Sequence, residues 1–252
     1  MDDVSSLAVN STCAEPYAAS RSTTIGINIT GIATGQRQRR RLPPLSSDRA
    51  CPSHDTPQRR STLRTLAQDR TLVSVTTTVA GVLLAAGAGT RYGMPKVLAE
   101  QGKWLRAGVD ALHDGGCADV VVVLGAAIVE VPPPARAVVA EAWADGLSAS
   151  LRAGLSAVDA EYAVLHTVDT PDIGADAVRR VVAAAVRSAS GLARARYRRV
   201  PGHPVVIARR HWATLLQQIH GDEGARAFLA DRDDVVSVDC GDLATGRDID
   251  VK

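Results

Sequence analysis

Aromatic residues are scarce: one phenylalanine, three tryptophans and four tyrosines in 252 residues. The core must therefore be assembled from alanine, valine, leucine and isoleucine. Four cysteines (Cys13, Cys51, Cys117, Cys240) stand far apart and form no Cys-x-x-Cys pair. That argues against a zinc knuckle, a thioredoxin-like centre and a disulfide scaffold, and a reducing cytoplasm is the simplest home. No apolar run approaches the roughly 18 residues that a membrane-spanning helix needs. The start, Met1-Asp2-Asp3, lacks the basic residues and apolar stretch of a secretory signal. Lysine is nearly missing, three against 26 arginines, which reads as a genome-composition bias.

Hydrophobic residues at 46% and charged residues at 22% are ordinary for a globular chain, and the length allows one to two domains. The net charge of +2 hides an asymmetry. Residues 1–74 carry 10 arginines and 6 acidic residues, whereas residues 75–252 carry 19 basic and 21 acidic residues. The second part is thus no basic platform for nucleic acid, and neither nucleic acid nor a membrane is expected as a partner.

The two parts also differ in pattern. Residues 1–74 show no sustained period of 2 or 3.6, and contain Pro43-Pro44, Pro52, Pro57 and the runs Arg39-Arg40-Arg41 and Arg59-Arg60. Such a segment buries too little apolar surface to offset its ordering entropy. It is expected to be a disordered, low-complexity tail. Alternatives are an organelle transit peptide, an arginine-rich contact for an acidic partner, or a start placed upstream of a biological one near Val73 or Val79.

Residues 75–252 read as a folded domain. Val79–Leu84, Val120–Leu124 and Tyr162–Val168 are short apolar runs rich in β-branched residues, the mark of strands buried on both faces. Between and after them lie helical patterns: Trp104, Leu105, Val109 and Leu112 in 103–114; Leu151, Leu155 and Val158 in 148–158; Val178, Val181, Val182 and Ala185 in 175–189. Strand and helix in alternation imply a three-layer α/β fold with a mostly parallel sheet and right-handed crossovers. Ligands in such sheets sit beyond the carboxyl ends of the strands, so the residues just after each apolar run matter most.

After the first run comes Leu84-Ala85-Ala86-Gly87-Ala88-Gly89-Thr90-Arg91-Tyr92-Gly93-Met94-Pro95-Lys96. Gly87, Gly89 and Gly93 let the backbone turn sharply and present N–H groups. Arg91 adds a fork of donors for phosphate oxygens, Lys96 a point charge, and Pro95 stiffens the approach. Free N–H groups with two cations form a triphosphate cradle. A dinucleotide fingerprint does not fit: the third glycine comes one residue late, and no acidic residue follows at a second strand end about 20 positions on. A Walker A loop is also absent.

The third run ends in Val168-Asp169-Thr170-Pro171-Asp172. A carboxylate beside a triphosphate suits Mg²⁺, which takes one or two carboxylates plus substrate phosphates, so Asp169 is a metal candidate. Asp172 reads instead as a helix cap, and His166 as a satisfied core histidine.

The segment LAAGAGTRYGMPK resembles the signature of MobA-like nucleotidyltransferases, with a glycosyltransferase-A/Rossmann-like fold, and within them the molybdenum cofactor cytidylyltransferases. The resemblance covers about residues 79–250. It implies a Mg²⁺-dependent cytoplasmic enzyme moving CMP from CTP to a phosphorylated acceptor such as molybdopterin, with release of pyrophosphate. CTP rather than GTP is suggested by Ala86 in Leu84-Ala85-Ala86-Gly87. In this resemblance Arg91 and Lys96 hold the triphosphate and Asp169 the metal. Arg247-Asp248-Ile249-Asp250 is similar to the family's closing acidic stretch, with Asp248 expected at the metal and Asp250 as its alternative; a solvated strand end is the competing reading.

Two further segments carry the resemblance. Trp143–Arg152 is similar to WxxGLSxSLR, implying Gly146 and Ser148 at the base or ribose; Ser148 as the N-cap of a plain helix is the alternative. Pro201-Gly202-His203-Pro204 is similar to a strand beside the acceptor, implying that His203 meets its phosphate or pterin; a structural turn is the alternative. Gly221–Arg226 reads as a helix start near the acceptor. The Pro-rich segment 126–137 and the ending Val251-Lys252 depart from the family. Open alternatives are another NTP, a sugar or polyol phosphate acceptor, or a non-catalytic accessory protein that holds cofactor. A molybdoenzyme or its chaperone is the implied protein partner.

Overall fold

The computed structural model describes residues 77–251. The stretch 1–74, expected as a disordered tail, lies outside the described residues.

The expected buried runs are strands. β1 spans Val79–Leu84, β2 Asp119–Leu124 and β4 Tyr162–Thr167, with the short β3, Arg136–Val139, between the latter two. Three further strands follow: β5 Leu192–Tyr197, β6 Val200–Ala208 and β7 Val236–Asp239. They form one seven-stranded sheet in the order β3-β2-β1-β4-β6-β5-β7. Only β6 runs antiparallel to its neighbours.

Alternate residues of each strand feed two separate cores, because side chains on a pleated strand point to opposite faces. Leu83, Val122 and Val164 pack against α1 (Lys103–Asp114) and α3 (Ala175–Arg187). Val82, Leu84, Val123 and Leu165 pack against α2 (Leu147–Ser156), α4 (Trp212–Gln218) and α5 (Ala225–Ala230). The result is the expected three-layer α/β architecture. Burying each such valine or leucine contributes about 1.5–3 kcal/mol, so two aliphatic cores suffice without aromatics.

Three local expectations are corrected. Ser148 is not a helix cap: α2 is preceded by Gly146, with no side-chain cap bond. Asp172 is not a cap either, since Gly174 holds that position before α3. Its carboxylate instead accepts hydrogen bonds from Thr245 N (2.7 Å), Thr245 Oγ1 (2.6 Å) and Gly246 N (3.3 Å). The closing acidic stretch is an irregular strap rather than a strand, tied to the end of β4 by Asp172 and by Ile249 N–H donating to Asp169 O at 3.0 Å.

Candidate active site

β1 ends at the carboxyl edge of the sheet, and the glycine-rich loop turns there. Backbone bonds fix it: Ala85 N–H donates to Val123 O (3.0 Å), Ala126 N–H to Ala86 O (2.9 Å) and Gly93 N–H to Gly89 O (2.8 Å). Tyr92 is buried beneath it, its ring centroid 5.3 Å from that of Trp104. Gly89 adopts φ +62°, and a Cβ there would lie 2.0 Å from the Met94 carbonyl oxygen. Glycine alone fits this position.

Past Pro95 the chain enters a 3-10 stretch, Lys96–Gly102, which aims Lys96 back under the loop. Its Nζ donates to Asp169 Oδ2 at 3.0 Å and to Asp250 Oδ1 at 2.8 Å. Arg91 Nη1 lies 3.3 Å from Asp250 Oδ2. Lys96 is largely covered, its side chain 15% exposed, whereas that of Arg91 is 77% exposed. One cation is thus fixed between two carboxylates, and the other, exposed, pairs with Asp250 alone.

These groups line a cavity of about 630 Å³, in the range of small-molecule sites. Of the residues expected at the site, Leu84, Ala85, Ala86, Gly87, Gly89, Arg91, Lys96, Gly146 and Asp169 line it. Gly93 does not; it closes the loop behind through its bond to Gly89. Ser148 does not either. Its N–H donates to Gly221 O at 2.9 Å, and the residue faces a second cavity, of about 560 Å³, on the outer side of α2. His203 is half-buried in β6 with Nδ1 3.3 Å from Leu165 O, outside the lining. Asp248 is also outside it, and Asp250, two residues on, is the C-terminal carboxylate in the cavity.

Sequence reasoning did not single out Trp143, Leu147, Ser150, Thr167 or Asp222, which complete the walls. The signal was within reach: all five fall in segments named from the sequence. Gly146 at φ +110° brings these walls together, since a Cβ there would sit 2.4 Å from the Gly221 carbonyl carbon.

The electrostatics divide the acidic groups. Burial works against the charge on Lys96, but its bonds to Asp250 and Asp169 prevail and hold its pKa above the ordinary value. The bond to Lys96, aided by Arg91, holds the Asp250 carboxyl below its ordinary value. Asp248 goes the other way, raised by burial and by the nearby charge of Asp169, with Asp250 adding to the repulsion. His166 was expected to be a satisfied core residue. It is fully buried, yet neither ring nitrogen has a hydrogen-bond partner. Burial, with the neighbouring His203, lowers its pKa to about 3.

Among the described residues no group of three His, Cys, Asp or Glu converges to hold an ion by itself. The donor set nevertheless fits a hard divalent cation that shares its shell with phosphates: Asp169 and Asp250 both line the cavity, with Asp248 two residues before the latter.

A mostly parallel sheet whose first strand opens into a glycine-walled cavity, where Arg91 and Lys96 stand among Asp169, Asp222 and Asp250, suits an enzyme that transfers nucleotidyl groups with a divalent cation. Residues 81–235 match the MobA-like NTP transferase domain, and the chain belongs to that family. A curated relative, nicotine blue oxidoreductase of Paenarthrobacter nicotinovorans, is 37% identical over 190 residues, covering 68% of this chain and 92% of that protein. Among solved structures, Rv0371c of Mycobacterium tuberculosis is similar at 27% identity with a TM-score of 0.57, covering 69% of this chain and 94% of that one. A second structure of Rv0371c, a complex with manganese, matches at 25% identity and a TM-score of 0.52, over 65% and 88% of the two chains. One of these similar structures thus holds a divalent metal. Among the described residues no helix is long and apolar enough to cross a membrane.

Proposed function

We propose that this chain is a cytidylyltransferase: it moves CMP from CTP to a phosphorylated acceptor such as molybdopterin and releases pyrophosphate. The observation that carries this reading is the bridge of Lys96 between Asp169 and Asp250 on the floor of the glycine-walled cavity. It supports a triphosphate over residues 84–96, with the loop N–H groups, Lys96 and Arg91 on its phosphate oxygens. Trp143, Leu147 and Gly146 offer an apolar wall to the base.

Asp169 with Asp248 or Asp250 would hold Mg²⁺, which when bound neutralises phosphate charge. The chain's own contribution is placement. Lys96, already fixed by two hydrogen bonds, meets developing negative charge without reorganising. Arg91, largely exposed, closes over the leaving pyrophosphate. An acceptor phosphate held at the β4–β6 side attacks the α-phosphorus in line, and no protein nucleophile is needed. Pyrophosphate release with CTP against GTP, in the presence of molybdopterin, tests this reading. Release with GTP alone, or only with a sugar or polyol phosphate, would keep the chemistry and replace the substrate. Tight nucleotide binding with no pyrophosphate from any acceptor would point to an accessory protein that holds cofactor.

A second reading follows from the 37% relative, whose name is that of an oxidoreductase. The same cavity would then hold a redox nucleotide. The loop favours the first reading, because Gly87, Gly89 and Gly93 miss the dinucleotide spacing by one residue. Oxidation of a reduced nicotinamide cofactor by a quinone-like dye, without pyrophosphate release, would reverse that preference.

A further inference from the structure

Three carboxylates line the cavity: Asp169, Asp222 and Asp250. Two of them are occupied. Asp169 and Asp250 both hold the Lys96 ammonium, and Asp250 also meets Arg91. Asp222 is exposed and has no hydrogen-bond or ion-pair partner among the described residues. Its neighbour Glu223, by contrast, accepts from His220 N–H at 3.1 Å. Asp222 therefore presents two acceptor oxygens and a charge that the protein does not use.

The fold fixes where Asp222 stands. The loop before α5 is tied to the start of α2, because Ser148 N–H donates to Gly221 O at 2.9 Å. Gly146 makes the room: a Cβ there would lie 2.4 Å from the Gly221 carbonyl carbon and 2.7 Å from Asp222 Oδ1. The carboxylate thus rests on the backbone of Gly146, in the part of the lining that holds Trp143 and Leu147. The cations Lys96 and Arg91 belong instead to Asp169 and Asp250. An unpaired carboxylate repels phosphates and can only accept hydrogen bonds. The part of a nucleotide that suits it is uncharged and rich in donors. Ribose fits best, since its 2′ and 3′ hydroxyls are adjacent donors for the two oxygens of one carboxylate, and it joins the phosphates to the base. Dinucleotide-binding sheets place an acidic residue on ribose from the end of their second strand. Here β2 ends in Leu124 and is followed by Gly125-Ala126-Ala127, and Asp222 brings the carboxylate from another loop.

We infer that Asp222 receives the ribose hydroxyls of the bound nucleotide, so that the cavity selects ribonucleotides over deoxyribonucleotides. The inference rests on the reading of the cavity as a nucleoside triphosphate site and deepens it; it does not depend on the acceptor. Asp222 touches the substrate away from the reacting phosphorus. Its contact is the same before and during transfer, so it acts on affinity rather than on the chemical step.

The test is calorimetry on the full chain with Mg²⁺, titrating CTP, its 2′-deoxy and 3′-deoxy analogues and GTP into the wild type and Asp222→Ala. The substitution is at an exposed residue and spares both cores. The wild type should bind CTP more tightly than at least one deoxy analogue by about tenfold or more, the scale of a hydrogen bond to a charged group. Asp222→Ala should bind CTP and its deoxy analogues alike. Comparing analogues within one variant cancels the general gain from removing a negative charge near a polyanion. Discrimination against the deoxy analogues that persists undiminished in Asp222→Ala, or that is absent from the wild type, overturns the proposal. So does a preference between CTP and GTP that vanishes in Asp222→Ala while the deoxy analogues keep their handicap, which would put Asp222 at the base. A wild type that binds neither CTP nor GTP would overturn the triphosphate reading and the ribose contact together, an outcome distinct from binding without sugar selection.

Discussion

The ammonium of Lys96 lies 2.8 Å from the carboxylate of Asp250, 154 positions further along the chain. Through this contact the first crossover loop and the C-terminal strap close on the same cavity. The strap is held at three points: Asp169 O and the Asp172 carboxylate, both after β4, and the Lys96 ammonium that Asp169 shares.

Replacing Lys96 by alanine removes the one fixed cation at the cavity floor. Turnover, read as pyrophosphate release, should fall about 10²-fold or more, the scale of losing a preorganised donor to developing charge. The melting temperature should change little by comparison, because Asp169 and Asp250 remain partly open to water. Near wild-type turnover in Lys96→Ala would remove Lys96 from the mechanism.

The two strap carboxylates should respond with opposite sign. Asp250 has a lowered pKa, so its charge contributes stability that is present above pH about 4 and lost as pH falls through its lowered value. Asp250→Asn should therefore lower the melting temperature at pH 7 and flatten the acid limb. Asp248 has a raised pKa, so its charge costs stability once pH rises above its ordinary range. Asp248→Asn should raise the melting temperature at pH 7 without added metal. Both are partly exposed, and solvent screening keeps the shifts small. Thermal melts from pH 3 to 8 would measure them, and a fall in both variants would contradict the assignment.

Divalent cations should separate these carboxylates further. If Asp169 and a strap carboxylate hold the ion, Mg²⁺ or Mn²⁺ raises the melting temperature of the wild type by mass action. The increment disappears in Asp169→Asn. That variant should also lose the Mg²⁺ dependence of its residual turnover. An undiminished metal-induced shift in Asp169→Asn would place the ion elsewhere.

Much of this arrangement is legible from the residues alone, and the gaps have physical causes. Val79–Leu84 is an unbroken apolar run because β1 is covered on both faces, so its bounds coincide with the strand. The loop after it declares itself through glycines that the backbone requires. β5 is harder to see: Arg194 and Arg196, only partly buried, alternate with buried alanines, so the segment lacks the unbroken apolar run of the central strands. Asp248 and Asp250 are indistinguishable by type and spacing. Only the course of the strap, set by Asp172 and Ile249, puts the second of them beside Lys96. The true role of Asp172 was hidden for the same reason, its partners lying 73 and 74 residues away.

Gly89→Ala tests the loop geometry without touching a charge. The residue sits at φ +62°, and the new Cβ would meet the Met94 carbonyl oxygen at 2.0 Å. Left-handed backbone costs a non-glycine residue about 1–2 kcal/mol, and here a backbone clash is added, so the loop between Gly87 and Pro95 must move. Nucleotide affinity should drop by about tenfold or more, while the two cores keep the far-UV spectrum of the wild type. Unchanged nucleotide affinity would show that the loop's shape is not what the cavity depends on.

His166 offers a test of stability independent of the reaction. Its ring is fully buried with both nitrogens unpartnered, which costs about 1–3 kcal/mol per orphaned group. Replacement by leucine removes the polar atoms and keeps most of the volume, so His166→Leu should raise the melting temperature at pH 7. The acid response follows from the pKa near 3. Above pH 6.5 the histidine is neutral folded or unfolded and adds no pH dependence. As pH falls from 6.5 towards 3 the unfolded chain takes up a proton that the folded chain refuses, and stability is lost progressively. The leucine variant should lack that part of the acid slope, so the gap between the two melting curves should widen steadily below pH 6.5. A gap that stays constant from pH 7 to 4 would mean that His166 is protonated in the folded chain, with a partner found by rearrangement of the strand end beside His203.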